Sequence, residues 1–545
     1  MDRSTETTRP SGETPVEVPT PPPGNASVSA GGFGAKLRRL GSESLVYGLS
    51  AIVGRFLSYL LQPFYASQFT AAQNGVQTVI YTMVSLVSVV FVLGLDIAYM
   101  RSAAHPAEGE DIERSRQRAF TMSIAMIATI GLVMLGIGFL LAPFVSRFFD
   151  VPPYSLRYLL GIVYTDAILT VSWAHLRMTN RSMRFALMRL AFVAISIVLN
   201  LVLILGFHWD IEAIFLANLV ANVVLLVMMA PMMMRLIRPG LLRGHPGWRG
   251  LWAYALPIVP ASFAVLLVEN ADKLVLTRIP AEVAQRVYGL TPQQVVGSYG
   301  FNYKLGIVML LVVQMFRMAW TPFSLSHSRD PNAPQLYSRV LTGLMLVCAA
   351  LFLAVAFFLP PLVHIPKVYH IAREPAYWAG LPIVPIILLG YVFSGMYAVV
   401  TAGLYIEKKT SVLPWIAGLG AAINVAICIV GMQWGMVPVA WATPISYALM
   451  AGLGAWQSNR VYPVPYEWGR VAHLGAVTAA LFAVDAWLGS RGWEGSGATL
   501  WGIKALILLA FPVLLWATRF FRAGEWKVIR GVLGRWVPVR GAMQG

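Results

Sequence analysis

The chain has 545 residues and a formal net charge of +17, yet only 12% of its residues are charged and 57% are hydrophobic, with a mean hydropathy of +0.67. Soluble domains carry roughly 25% charged residues, so the composition excludes a soluble globular protein and predicts an all-α polytopic membrane protein. The basic excess does not point to nucleic acid, because Lys and Arg fall in short clusters between apolar segments rather than along one face.

Residues 1–40, with TPPPG and SAGGFG, are rich in Pro, Gly, Ser and Thr and hold no apolar core. They read as a disordered cytoplasmic tail rather than a signal peptide. A helix needs about 20 predominantly apolar residues to cross the hydrocarbon core, and about fourteen segments meet that rule. They run Leu45–Ser67, Gly75–Met100, Ala119–Ser146, Ser155–Leu176, Met183–Phe207, Ile211–Met234 and Leu251–Leu276. The second seven are Val295–Trp320, Val340–Leu362, Trp378–Tyr405, Ser411–Met432, Gly435–Gln457, Val471–Leu488 and Thr499–Thr518. Cys348 and Cys428 lie inside apolar runs without disulfide or metal-ligand spacing and read as packing residues.

Short cytoplasmic loops accumulate Lys and Arg. Arg101, Arg114, Arg116 and Arg118, then Arg177, Arg181 and Arg184, then Arg235, Arg238, Arg243 and Arg249 occupy alternate loops, followed by Arg329, Lys408, Lys409, Arg460 and Arg470. The intervening loops hold few basic residues, which predicts both termini in the cytoplasm. RLAFVAISIVLNLVLILGFHW and WIAGLGAAINVAICIVGMQW each place an Asn (Asn200, Asn424) inside an apolar helix before a Gly-and-Trp turn. VYGLSAIVGRF and AYALPIVPASF are a weaker pair. The repetition predicts two six-helix lobes, 45–235 and 251–457, with two additional helices over 470–518, an arrangement used by transporters. The tail 519–545 intersperses Phe520, Trp526, Ile529, Leu533 and Trp536 with basic residues, either as an amphipathic helix on the inner leaflet or as a basic flank.

Three stretches carry a family resemblance. VYGLSAIVGRFLSYLLQPFYASQFTAAQNGVQTVIYTMVSLVSVVFVLGLDIAYMR contains Pro63, Gly75, Gly94 and Arg101. ADKLVL is followed by VGSYGFNYKLG and FRMAWTPF, and later comes IEKKTSVLPWIAGLGAAINV. Together, from about Leu45 to Glu467, they resemble the polysaccharide flippases of the multidrug/oligosaccharidyl-lipid/polysaccharide exporter superfamily. That resemblance implies a non-enzymatic transporter moving an oligosaccharide on undecaprenyl diphosphate from the inner to the outer leaflet of a bacterial cytoplasmic membrane. It implies no cofactor; the energy source, a proton, sodium or the membrane potential, stays open. The N-terminal tail and a long loop over Pro280–Gln294 depart from the family.

Charge inside a membrane costs roughly 2.5–3.5 kcal/mol on insertion scales, so each such residue needs a reason. Arg55, Asp166 and Lys304 sit near mid-membrane by the 1.5 Å rise per residue. Arg55 and Lys304 are candidates to grip a diphosphate, with an Arg55–Asp166 structural ion pair as the competing reading. Asn302 and Gln314 are candidates for sugar hydroxyls, or for ties between helices. In VENADKLVLTRI, Glu269 and Lys273 have the i, i+4 spacing for a salt bridge near the outer end of the seventh span; with Asp272 they read as that bridge or as a gate or coupling site. Asp96 and Arg101, at the inner end of the second span, read as paired or snorkelling, or as part of the same switch. Asp485 and Lys504 read as interfacial. His175 has no second ligand at metal spacing. Rival functions are a cation-coupled multidrug exporter, which would want an acidic cavity, and a membrane-embedded glycosyltransferase or polymerase, for which no catalytic arrangement is visible.

Overall fold

The computed structural model describes residues 61–104, 111–242, 247–363, 365–491 and 497–522, all within one compact unit. Among these residues, 13 helices are long and apolar enough to cross a membrane. They coincide with the second to fourteenth expected spans. Most of the first span, Arg55 included, lies outside the described residues, although 61–68 is helical.

The N-terminal helices are α1 (Ala71–Val92), α2 (Leu95–Ala104), α3 (Ile112–Phe149), α4 (Pro153–Met178), α5 (Ser182–Leu201) and α6 (Glu212–Leu236). Thr70 starts α1 through a capping box with Gln73, satisfying two backbone N–H groups that a helix start leaves open. Leu93 (φ 51°) and Gly94 (φ 68°) are left-handed, which ends α1 and turns the chain into α2 within one expected span. Asp111 caps α3, whose 38 residues reach about 57 Å at 1.5 Å each. That exceeds the hydrocarbon core of about 30 Å, so α3 projects beyond the bilayer. Its early residues, such as Phe120 and Ile127, are buried, whereas Leu132, Leu140 and Phe144 are exposed, as a lipid-facing surface must be.

The chain continues through α7 (Gly247–Ala255), α8 (Ile258–Val275), α9 (Ala281–Tyr288), α10 (Pro292–Leu305), α11 (Ile307–Ser326) and α12 (Ala333–Val363). Then come α13 (Ile383–Val400), α14 (Leu413–Gly431), α15 (Ala442–Val461), α16 (Trp468–Ser490) and α17 (Ala498–Ala517). The expected loop over Pro280–Gln294 is instead α9 followed by the start of α10. Left-handed Gly289 (φ 68°) closes α9, and a Thr291–Gln294 capping box with Pro292 opens α10. The expected eighth span is two helices meeting at Gly306.

Burial separates centre from rim. Within its most apolar window α4 has 67% of residues inside the protein, whereas the α5 and α16 spans have 17%. The α5 and α16 helices therefore form lipid-facing edges. α1 packs along α8 and crosses α10, while α2 meets α7, so the second span joins the N-terminal helices to the C-terminal ones along its length.

Candidate functional site

The crossing of α1 and α10 is built from glycines. A Cβ on Gly297 would overlap the Ala71 carbonyl, one on Gly75 would overlap the Gln293 carbonyl, and one on Gly300 would overlap the Thr78 hydroxyl. Small residues let backbones approach this closely. Polar contacts from the 365–380 segment reinforce the crossing: Glu374 accepts from the Ala71 N–H at 3.0 Å, and Arg373 donates to the Gln68 carbonyl at 2.7 Å. The Tyr377 hydroxyl reaches the Phe69 and Thr70 carbonyls at 2.9 Å each. Gln293 also hydrogen-bonds the Asp150 carboxylate.

One helical turn beyond Gly300, α10 presents Lys304. Its amine donates to the Gln62 side chain at 2.7 Å, spanning N-terminal and C-terminal helices with a neutral acceptor. No carboxylate among the described residues lies within salt-bridge distance of it. Asn302 is fully buried and commits both amide hydrogens to backbone, to Ser298 at 2.8 Å and Tyr377 at 2.6 Å; its carbonyl oxygen has no partner among the described residues. Gln314 is half-buried on α11. Sequence reading missed Arg317, also on α11, whose charge acts on Tyr397, Tyr405 and Tyr447. It forms no salt bridge among the described residues. A lone Arg within MLLVVQMFRMAW was the available signal.

The VENADKLVLTRI cluster differs from its expected pairing. Lys273 pairs with Asp272 at 3.1 Å and donates to the Glu269 main-chain carbonyl at 2.7 Å, while the Glu269 carboxylate accepts from the Tyr447 hydroxyl at 2.9 Å. The i, i+4 bridge between Glu269 and Lys273 is therefore absent: α15 draws the carboxylate away, and the amine folds back along its own helix. The Asp272–Lys273 pair is buried inside the protein, with Asp272 0% and Lys273 7% exposed. Tyr299 donates to Asp272 at 2.6 Å, and the Lys273 amine sits 3.5 Å from the Tyr303 ring centroid. Tyr391 donates to Tyr303 at 3.4 Å. Tyrosine hydroxyls and a ring face thus replace water around a buried ion pair, which such pairs require to repay their desolvation.

Among the remaining charges, Asp166 is half-buried on α4, within reach of the charge on Arg189 of α5. Arg189 also lies over the Trp173 ring, 4.4 Å from its centroid. Asp96 and Arg101 take separate partners. Asp96 faces Arg177 at 4.0 Å, and Arg101 lies over Tyr254 of α7 at 4.1 Å, holding α2 to α7. Asp485 and Lys504, assigned separately to the last two helices, pair with each other at 2.6 Å in a buried site. His175 is buried and hydrogen-bonds Tyr99 at 2.7 Å. Among the described residues no group of three His, Cys, Asp or Glu could hold a metal.

An apolar cavity of about 570 Å³ lies on another flank, between α12, α13 and α16, lined by Met345, Phe352, Ile386, Met396, Leu474 and Phe482 among others. The last two helices pack on α12, and α16 supplies one wall.

Residues 40–328 match the family described as "Polysaccharide biosynthesis protein", more than half of the 545 residues. The chain belongs to that family. No curated protein matches in sequence. The fold of this polysaccharide biosynthesis family member is similar to lipid II flippase MurJ in an inward closed conformation, with TM-score 0.64 and 14% identity over 88% of this chain and 100% of that one. It is also similar to an inward-facing multidrug resistance MATE family transporter of the MOP superfamily, with TM-score 0.58 and 11% identity over 79% of this chain and 96% of that one. A third likeness is to a point mutant of the Vibrio cholerae MATE transporter VcmN, with TM-score 0.53 and 14% identity over 79% of this chain and 98% of that one. At these identities the likeness is one of fold. Family membership and fold agree with the resemblance carried by the sequence motifs: a multi-pass membrane protein of polysaccharide biosynthesis with a transporter architecture.

Proposed function

We propose that the chain flips an undecaprenyl-diphosphate-linked oligosaccharide from the inner to the outer leaflet of a bacterial cytoplasmic membrane. Two six-helix lobes, 45–235 and 251–457, alternate access around a cationic centre, with both termini cytoplasmic. The observation that carries this reading is Lys304. A half-buried amine joined to Gln62 across the two lobes, with no described carboxylate in reach, is a hydrogen-bond donor without an acidic partner, placed to meet a diphosphate. Arg317 is a second candidate cation, and Arg55 a third.

Two further features support it. The cavity between α12, α13 and α16 matches the chemistry of a polyprenyl tail, with helices 470–518 guiding it. The α1–α10 glycine crossing is a candidate gate at the outer end, since its close approach leaves no intermediate packing. Asp166 and the Asp272–Lys273 pair with Glu269 are the candidate coupling groups, and Asp96 and Arg101, each clasping a neighbouring helix, are candidate hinge contacts at the inner end.

Liposomes carrying the purified protein and a labelled lipid-linked oligosaccharide test the proposal. Movement of label to the opposite leaflet without a new covalent product is expected. Formation of product would replace it with an enzyme, and transport of cationic drugs without lipid movement would replace it with a multidrug exporter.

A further inference from the structure

The ends of four N-terminal helices enclose a second, polar cavity of about 950 Å³. It lies where α3 and α5 begin and α4 and α6 finish, so it opens at the basic end of the bundle. Arg116, Arg181, Arg184, Arg235 and Arg238 line it, against Glu113 as the one carboxylate. Glu113 reaches Arg116 only at 3.8 Å and is itself 57% exposed. The other four arginines form no salt bridge among the described residues. Arg116 keeps a buried Nε without a hydrogen-bond partner among them.

Such a cluster is not explained by loop charge alone. Arg181, Arg184, Arg235 and Arg238 are exposed and Arg116 is half-buried, yet all five line one concavity, where like charges repel each other. Here the turn at Asn180 (φ 52°) swings Arg181 and Arg184 toward the finish of α6, closing the cluster over a cavity. Arg donors form planar forks that fit phosphate oxygens bidentately, and the positive end of α5 begins at the same turn.

The inner wall has a different chemistry. Met188 from α5 and Met228, Met229 and Met232 from α6 line it. Methionine supplies an adaptable apolar surface, and a free phosphate or soluble nucleotide has no use for one. A ligand that joins a phosphate to acyl chains uses both walls at once, and basic pockets between membrane helices take such headgroups. The volume also falls in the range of small-ligand pockets, about 300–1,000 Å³.

We infer that this cavity binds the phosphate headgroup of an anionic phospholipid from the leaflet at the basic end, with its acyl chains along the methionine wall. It is a resident-lipid site distinct from Lys304, and it does not depend on which cargo the protein carries.

The test uses the full chain in phosphatidylcholine nanodiscs, titrated with fluorescent phosphatidylglycerol. Arg184→Gln with Arg235→Gln should weaken binding about 25-fold, about fivefold for each arginine. Arg329→Gln with Arg339→Gln removes the same charge from exposed positions outside the cavity and should leave binding unchanged. Melting temperatures check that both variants fold; if the first does not, Arg184→Lys with Arg235→Lys replaces it, and an intermediate loss is expected. Equal losses in the two glutamine variants would reduce the effect to surface charge and overturn the site. Displacement of the lipid by millimolar inorganic phosphate would reassign it to a soluble anion. Preferential displacement by a polyprenyl diphosphate would reassign it to the cargo.

Discussion

The glycine crossing of α1 and α10 gives the sharpest test of alternating access. In Gly297→Ala the new methyl meets the Ala71 carbonyl and lies 2.9 Å from the Gly75 nitrogen. Both are backbone atoms, so no rotamer change relieves the clash and the helices must part. Overpacking of this kind costs about 1–3 kcal/mol. If the crossing opens during transport, only the closed state bears that cost, and the open-to-closed ratio should rise about 5- to 150-fold. Spin labels at Arg147, near the end of α3, and Arg286, on α9 before α10, both exposed, would report the separation in liposomes once buried Cys348 and Cys428 are replaced. Pulsed dipolar spectroscopy should show a longer-distance population in Gly297→Ala that is minor in the parent. A lower melting temperature with an unchanged distance distribution would make the crossing a fixed structural contact and refute the gate.

Three other outcomes are expected. Lys304→Ala should leave folded protein in the membrane but slow flipping in the liposome assay, and Lys304→Arg should preserve much of the rate; equal rates in all three would remove Lys304 from the site. Lys504→Ala should lower stability by about 3–5 kcal/mol, because it breaks a buried ion pair from one side; Asp485→Leu with Lys504→Met should recover most of it in thermal unfolding. A cysteine at Arg114 should be shielded from an impermeant thiol reagent in intact cells and one at Glu282 should react; the reverse pattern would invert the topology.

Most of the helices were legible because membranes impose a length rule: runs such as Leu413–Gly431 have few charges and a fixed minimum span. The alternation of arginines was legible for the same reason, since it depends only on loop order. Side-chain partners were not. Lys273 has Glu269 one turn away in sequence, yet Tyr447, 178 residues downstream, decides where that carboxylate points. Asp485 and Lys504 pair only because two helices stand side by side, a register no local pattern encodes. α9 escaped notice because eight residues are too few for a periodic signal between two prolines. Arg317 was passed over because a single charge in an apolar run also fits a snorkelling side chain.

The Asp485–Lys504 pair bears on how the last two helices keep their register. α16 carries the acid and α17 the base, 2.6 Å apart in a buried site. A slide of either helix by one turn, about 5.4 Å, would part the two charges inside the protein, where apolar side chains alone would tolerate the shift. The ion pair therefore fixes an alignment that apolar packing leaves free.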